Sequence, residues 1–253
     1  MIDPEAPGPP LEHEAPPQEP PPETPAERYP FWGYRDVVML AGIAFLLLVF
    51  VGAITSIVYR SPKVNAFEAI VGTFALEGLW FAALYVMIRV GYDRPFWRSL
   101  GWARFPHGFW RCAGWGVLVA ILTISLGSVL PRPPVQTEME ELLRSRGSIL
   151  LVGFFAITLG PLFEELAFRG FLMPLLVRSF GAVAGVALQA VPFALLHGHE
   201  YAWSWQQIIL LFLAGAAFGW MRYKTGSTAA STFMHVGYNL VAFVGIFAQS
   251  FVH

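Results

Sequence analysis

The sequence predicts an all-α polytopic transmembrane helical bundle of about seven spans, preceded by a disordered Pro/Glu-rich amino-terminal tail. Three observations carry this. Of the 253 residues, 56% are hydrophobic and 13% are charged, whereas a soluble domain carries about 25% charged residues. The apolar residues gather in runs long enough to cross a bilayer, which takes roughly 20 residues. The charges gather at the ends of those runs, apart from a few set inside them.

The tail comes first. Residues 1–30 hold eleven prolines and seven acids. Such a stretch buries too little apolar surface to offset its ordering entropy. We draw the tail as residues 1–35. The first 27 residues contain no Lys or Arg, and no short apolar core follows the start methionine, so no cleavable signal peptide is expected.

The spans run roughly Val37–Tyr59, Phe67–Ile88, Cys112–Leu130, Ile149–Phe180, Ala182–His197, Gln207–Met221 and Thr228–Phe251. The fourth contains Pro161 and Pro174, so it is either one kinked helix or a span followed by a shorter helix. The second choice gives eight spans. Residues 36–130 form an amino-terminal pair of spans, a basic, Trp-rich interfacial loop and a third span. Residues 131–253 form the core that carries the chemistry. Thr137 and Glu140 have capping-box spacing and predict a short amphipathic helix to Arg146, before the fourth span.

Lys and Arg divide ten to five between the two sides of a seven-span chain, with Arg28, Arg35, Arg178, Arg222 and Lys224 on the richer, amino-terminal side. The excess predicts a cytoplasmic amino terminus. The localisation expected is integral, multi-pass membrane, which in a bacterium means the plasma (inner) membrane. A net charge of −1 offers no basic surface for nucleic acid. The single Cys112 excludes an internal disulfide.

Charges at bilayer depth cost at least ~2.5–3.5 kcal/mol each on insertion scales, so each asks for a reason. Glu165 and Arg169 are spaced i,i+4 and can form an ion pair on one helical face. Taken alone, such a pair is structural. Glu164 points about 100° away from Glu165 and is left free to act as a general base or acid. Phe193-x-x-x-His197 and His235-x-x-x-Asn239 add two imidazoles and an amide, each inside a span. A lone His in a helix is usually a packing residue, but several such groups in one bundle are the obvious partners for one another. Glu77 sits mid-span and is read as hydrogen-bonding within the bundle rather than lining a cavity. His199 and Glu200 are read as interfacial.

Glu164-Glu165-x-x-x-Arg169, Phe193-x-x-x-His197 and His235-x-x-x-Asn239 together resemble the three ordered motifs of the CPBP family, over roughly residues 120–250. That family groups type II CAAX prenyl endopeptidases with bacterial abortive-infection and bacteriocin-processing or immunity proteins. The resemblance implies an intramembrane endopeptidase acting on a membrane-associated peptide or protein. It implies Glu164 as general base assisted by His197, His235 and Asn239 as the oxyanion site, and Glu165 with Arg169 as the group that holds the first motif in place.

There is no His-Glu-x-x-His helix. Two histidines and two glutamates could still bind zinc across helices. A metal-free mechanism is favoured because Arg169 opposes a nearby cation, with zinc as the alternative cofactor. Two other functions remain open: a non-catalytic immunity or scaffold protein binding a peptide in the same cavity, and a proton-coupled carrier. The absence of visible repeats argues against the carrier.

Overall fold

The computed structural model describes residues 29–59, 65–105, 108–131 and 137–251. The regular elements of these residues are all helices, with no strand among them. The elements are α1 (Tyr34–Tyr59), α2 (Ala66–Val86, continued by a π-helical turn Met87–Gly91), α3 (Phe96–Ser99), α4 (Gly108–Val129), α5 (Glu138–Leu142) and α6 (Arg146–Ile157). They continue with α7 (Leu159–Glu165), α8 (Met173–Phe180), α9 (Ala182–Leu196), α10 (Trp205–Thr225) and α11 (Thr228–Gln249).

Five stretches are long and apolar enough to cross a membrane: 34–58, 66–91, 108–129, 146–180 and 228–249. The other two expected spans also form helices. Helix α9 has 15 residues, about 22 Å at 1.5 Å per residue, which is short for a hydrocarbon core of ~30 Å. Helix α10 is long enough but carries Gln206, Gln207, Arg222 and Lys224.

The stretch around Pro161 is one helical path with a break. Helix α6 stops at Thr158, whose φ −123 and ψ −85 are non-helical. Pro161 follows within the first turn of α7, where it has no N–H to lose. Residues Leu166–Leu172 then run as a π-helix, the wide-turned form that recurs at functional sites. Pro174, which cannot donate to the carbonyl four residues back, closes that wide turn at the start of α8.

The tail boundary needs a correction. Residues 1–28, and with them most of the expected disordered segment, lie outside the described residues. Residues 29–35 are ordered: Trp32 is 1% exposed and donates its indole N–H to the Phe171 carbonyl at 3.1 Å. Phe31 and Trp32 supply the apolar surface that the upstream proline-rich stretch lacks, and they join Leu40, Leu84, Ile88 and Phe171 in one core. The capping box at Thr137 is present, although its helix ends at Leu142 rather than Arg146. Asn65 and Glu68 form a second capping box that starts α2.

Helix α11 lies against α4 through an extended contact. A Cβ on Gly116 would overlap the Met234 carbonyl, and one on Gly237 the Ala113 backbone. Small residues thus bring the two backbones together, the usual device of membrane helix pairs. That approach puts His235, between Met234 and Gly237, inside the bundle.

Candidate active site

Four elements deliver the polar groups: the end of α7, the π-turn after it, the end of α9 and the middle of α11. The two adjacent glutamates at the end of α7 have different surroundings. Glu165 and Arg169 are both fully buried, and Arg169 Nη1 lies 3.0 Å from Glu165 Oε1. The same Oε1 lies 3.1 Å from His235 Nδ1. Ser231, one turn earlier on α11, places its hydroxyl beside this carboxylate. It donates instead to the Thr228 carbonyl at 3.0 Å, leaving Glu165 Oε2 without a hydrogen bond.

Arg169 is held on several sides. Nη2 donates to the Gly215 carbonyl at 2.8 Å, and Phe193 lies 4.3 Å from the guanidinium carbon. Gly215 has room for this only because it lacks a side chain: a Cβ there would stand 2.8 Å from Phe193 and 3.1 Å from Arg169. Gln189, fully buried, donates to the same carbonyl at 3.1 Å. Phe193 of the second motif is therefore a lid on the ion pair of the first.

Glu164 has no such partner. Its Oε1 is 3.8 Å from His197 Nε2, and its Oε2 is 3.8 Å from His235 Nε2. Both separations exceed a hydrogen bond and leave room for a bridging group. Oε2 is buried and unpartnered. Glu164 and His197 are 23% and 21% exposed, so this side of the cluster is open, while Glu165 and Arg169 behind it are sealed.

The imidazoles are oriented by their other nitrogens. His197 caps α9 and its Nδ1 lies 2.8 Å from the Phe193 carbonyl. A carbonyl only accepts, so Nδ1 carries the proton and a neutral His197 turns the Nε2 lone pair toward Glu164. His235 Nδ1 faces the Glu165 carboxylate, which likewise fixes the proton there, and its ring stacks on Phe218 at 4.5 Å.

Asn239 stands apart from this contact set. Its Nδ2 donates to the Ala156 carbonyl at 2.7 Å, at the end of α6, and it makes no hydrogen bond to the glutamates or imidazoles. It shares the face of α11 with His235, one turn away.

Helix α9 ends at Leu196, so His197 at its C-cap stands beside Glu164, which α7 carries after the break at Thr158.

Two groups escaped the sequence reading. Glu77 does not hydrogen-bond within the bundle as expected: its Oε2 is buried and unpartnered, and its charge is felt by Glu164 and Glu200. Phe74 and Phe81, on the same face of α2, meet Phe163 at 6.3 and 5.4 Å and so turn Glu77 toward α7. Tyr201, in the short turn after α9, lies near Glu200, Tyr238 and Glu164. Burial, helped by these neighbours, pushes its phenol above the usual range. No sequence pattern marks a tyrosine in a loop as a site residue. Among the described residues, no three His, Cys, Asp or Glu side chains converge at metal-ligand spacing.

Residues 146–241 match the family model described as type II CAAX prenyl endopeptidase Rce1-like. The match spans fewer than half of the chain's 253 residues and is shorter than the 120–250 suggested by the motifs, but it contains all of them. No curated protein and no solved structure matches the chain. The helical core at residues 146–241 of this integral membrane protein is thus similar to the type II CAAX prenyl endopeptidase Rce1-like proteins.

Proposed function

We propose that this protein hydrolyses a peptide bond of a membrane-associated peptide or protein, with Glu164 as general base. The observation that carries the reading is the asymmetry of the two glutamates. Glu165 is consumed by Arg169 and His235, whereas Glu164 stands unpaired between two imidazoles at 3.8 Å each.

In this reading a water sits between Glu164 and His197. Glu164 takes its proton as the water oxygen attacks the scissile carbonyl. His197 accepts a hydrogen bond from the water and orients it. The carbonyl oxygen gains the negative charge and is met by His235 Nε2–H and the free N–H of Asn239. When His235 is doubly protonated, its Nδ1–H faces Glu165 and its Nε2–H faces the oxyanion. Glu164 then returns the proton to the leaving amine. Arg169 pairs with Glu165, so that Glu165 holds His235 without competing for the water.

The reading is metal-free. A cation in the cluster would sit close to the guanidinium of Arg169. Seven crossings with a cytoplasmic amino terminus complete it, with α9 as the short one and α10 as the less apolar one. The loop arginines, Arg178 and Arg222 then face the cytoplasm.

The test is cleavage of a pool of membrane and leader peptides by the purified protein, beside Glu164→Gln and His235→Ala, each with and without a chelator. Loss in both variants with no effect of chelator supports the reading. Loss with chelator, restored by zinc, overturns its metal-free part. Wild-type cleavage by both variants overturns the site. Peptide binding without any cleavage favours the non-catalytic partner.

A further inference from the structure

At the end of the bundle that holds the amino-terminal segment, two arginines line one cleft, and neither is paired with an acid among the described residues. Arg222, in the last turn of α10, is only 7% exposed. Its Nε donates to Thr228 Oγ1 at 2.9 Å, and its Nη2 reaches the Tyr29 hydroxyl at 3.4 Å. Gly101, with φ +71, leaves the guanidinium its place: any Cβ there would overlap it. Arg178, at the end of α8, directs its guanidinium at the carbonyls of Pro30 and Trp32. Every one of these partners is neutral, and among the described residues no carboxylate lies within 4.0 Å of either arginine. Buried charges are normally paired, so the pair asks for an anion.

A cleft of about 330 Å³ is lined by both arginines and Tyr29 together with Met173, Pro174 and Val177. Its lining is part cationic and part apolar. The surroundings place it at the headgroup level: Trp220 and Tyr223 are each 43% exposed beside it, and such rings favour the membrane interface.

We propose that this cleft binds the phosphate of an anionic membrane lipid, whose acyl chain follows the Met173–Val177 wall. Guanidinium groups match phosphate geometry in a way that a single ammonium does not. A soluble phosphate would use the arginines but not the apolar wall. The site is separate from the Glu164 cluster, and its occupancy is read without any assay of peptide cleavage.

The test is native mass spectrometry of the full chain in detergent, titrated with dioctanoyl-phosphatidylglycerol, dioctanoyl-phosphatidylcholine or glycerol 3-phosphate. Phosphatidylglycerol should be retained in preference to phosphatidylcholine, with glycerol 3-phosphate a poor competitor. Removing one arginine should weaken phosphatidylglycerol binding about fivefold, as expected for one basic residue at a membrane surface. Arg222→Gln also removes the link to Thr228, so Arg178→Gln serves as the variant that spares the α10–α11 corner. Equal retention of the two lipids, or unchanged binding by Arg178→Gln, overturns the proposal. Competition by glycerol 3-phosphate as strong as that by the lipid assigns the cleft to a soluble phosphate instead.

Discussion

Helices α1 and α11 are both long and apolar enough to cross a membrane, yet they differ in how far the protein covers them. Helix α1 has a mean hydropathy of 3.0 and only 6% of its best window is buried in the protein; α11 has 1.4 and 33%. A helix that faces lipid on nearly every side has no place for a polar group. A helix walled in by α4, α6 and α10 can carry Ser231, His235 and Asn239. Chemistry inside a bilayer therefore belongs to the helices that other helices cover, and the family match, residues 146–241, takes in the two best-covered stretches, 146–180 and most of α11.

Four substitutions can break or sharpen this contrast. The largest effect is expected at the sealed ion pair. Arg169→Ala leaves Glu165 charged and buried with only His235 beside it, and should cost about 3–5 kcal/mol, read as a lower melting temperature in detergent. An unchanged melt would mean that the pair is not a structural element. Next is Asn239→Ala. Removing one oxyanion donor should reduce kcat by about 10²–10³-fold, while losing the Ala156 hydrogen bond costs only ~1 kcal/mol. Equal damage to KM and kcat would instead make Asn239 a substrate-binding residue. Gly215→Ala should follow, at about 1–3 kcal/mol for overpacking against Phe193 and Arg169, with reduced activity because the first motif shifts. The smallest effect belongs to α1: Leu46→Ala, at a 67% exposed position, should change stability by less than about 0.5 kcal/mol and leave cleavage alone. A large loss there would show that α1 packs against something other than lipid.

Much of the site's contact pattern was legible in the sequence because it is local. The i,i+4 spacing gave the Glu165–Arg169 pair, and one residue of offset separated Glu164 from it. Pro161 marked the break in the fourth span. What was not legible depends on other helices. The π-turn that carries Arg169 has no sequence signature of its own. Gly215 matters through its carbonyl and its missing side chain, neither of which a motif displays. Glu77 was read as an internal hydrogen-bonding group because no sequence feature shows that Phe74 and Phe81 seat on Phe163. Trp32 lay in a segment assigned to the tail by its prolines, although its own indole finds a carbonyl 139 residues away.

The central claim is that two neighbouring glutamates have separate work, one chemical and one structural. Its most direct test is a paired measurement of peptide cleavage and melting temperature on purified Glu164→Gln and Glu165→Gln. The account predicts that Glu164→Gln melts like wild type and loses roughly 10²–10⁴-fold in rate, the range of general-base catalysis, whereas Glu165→Gln melts lower because Arg169 loses its counter-ion. Wild-type cleavage by Glu164→Gln, or a stable Glu165→Gln protein that melts like wild type, would contradict it.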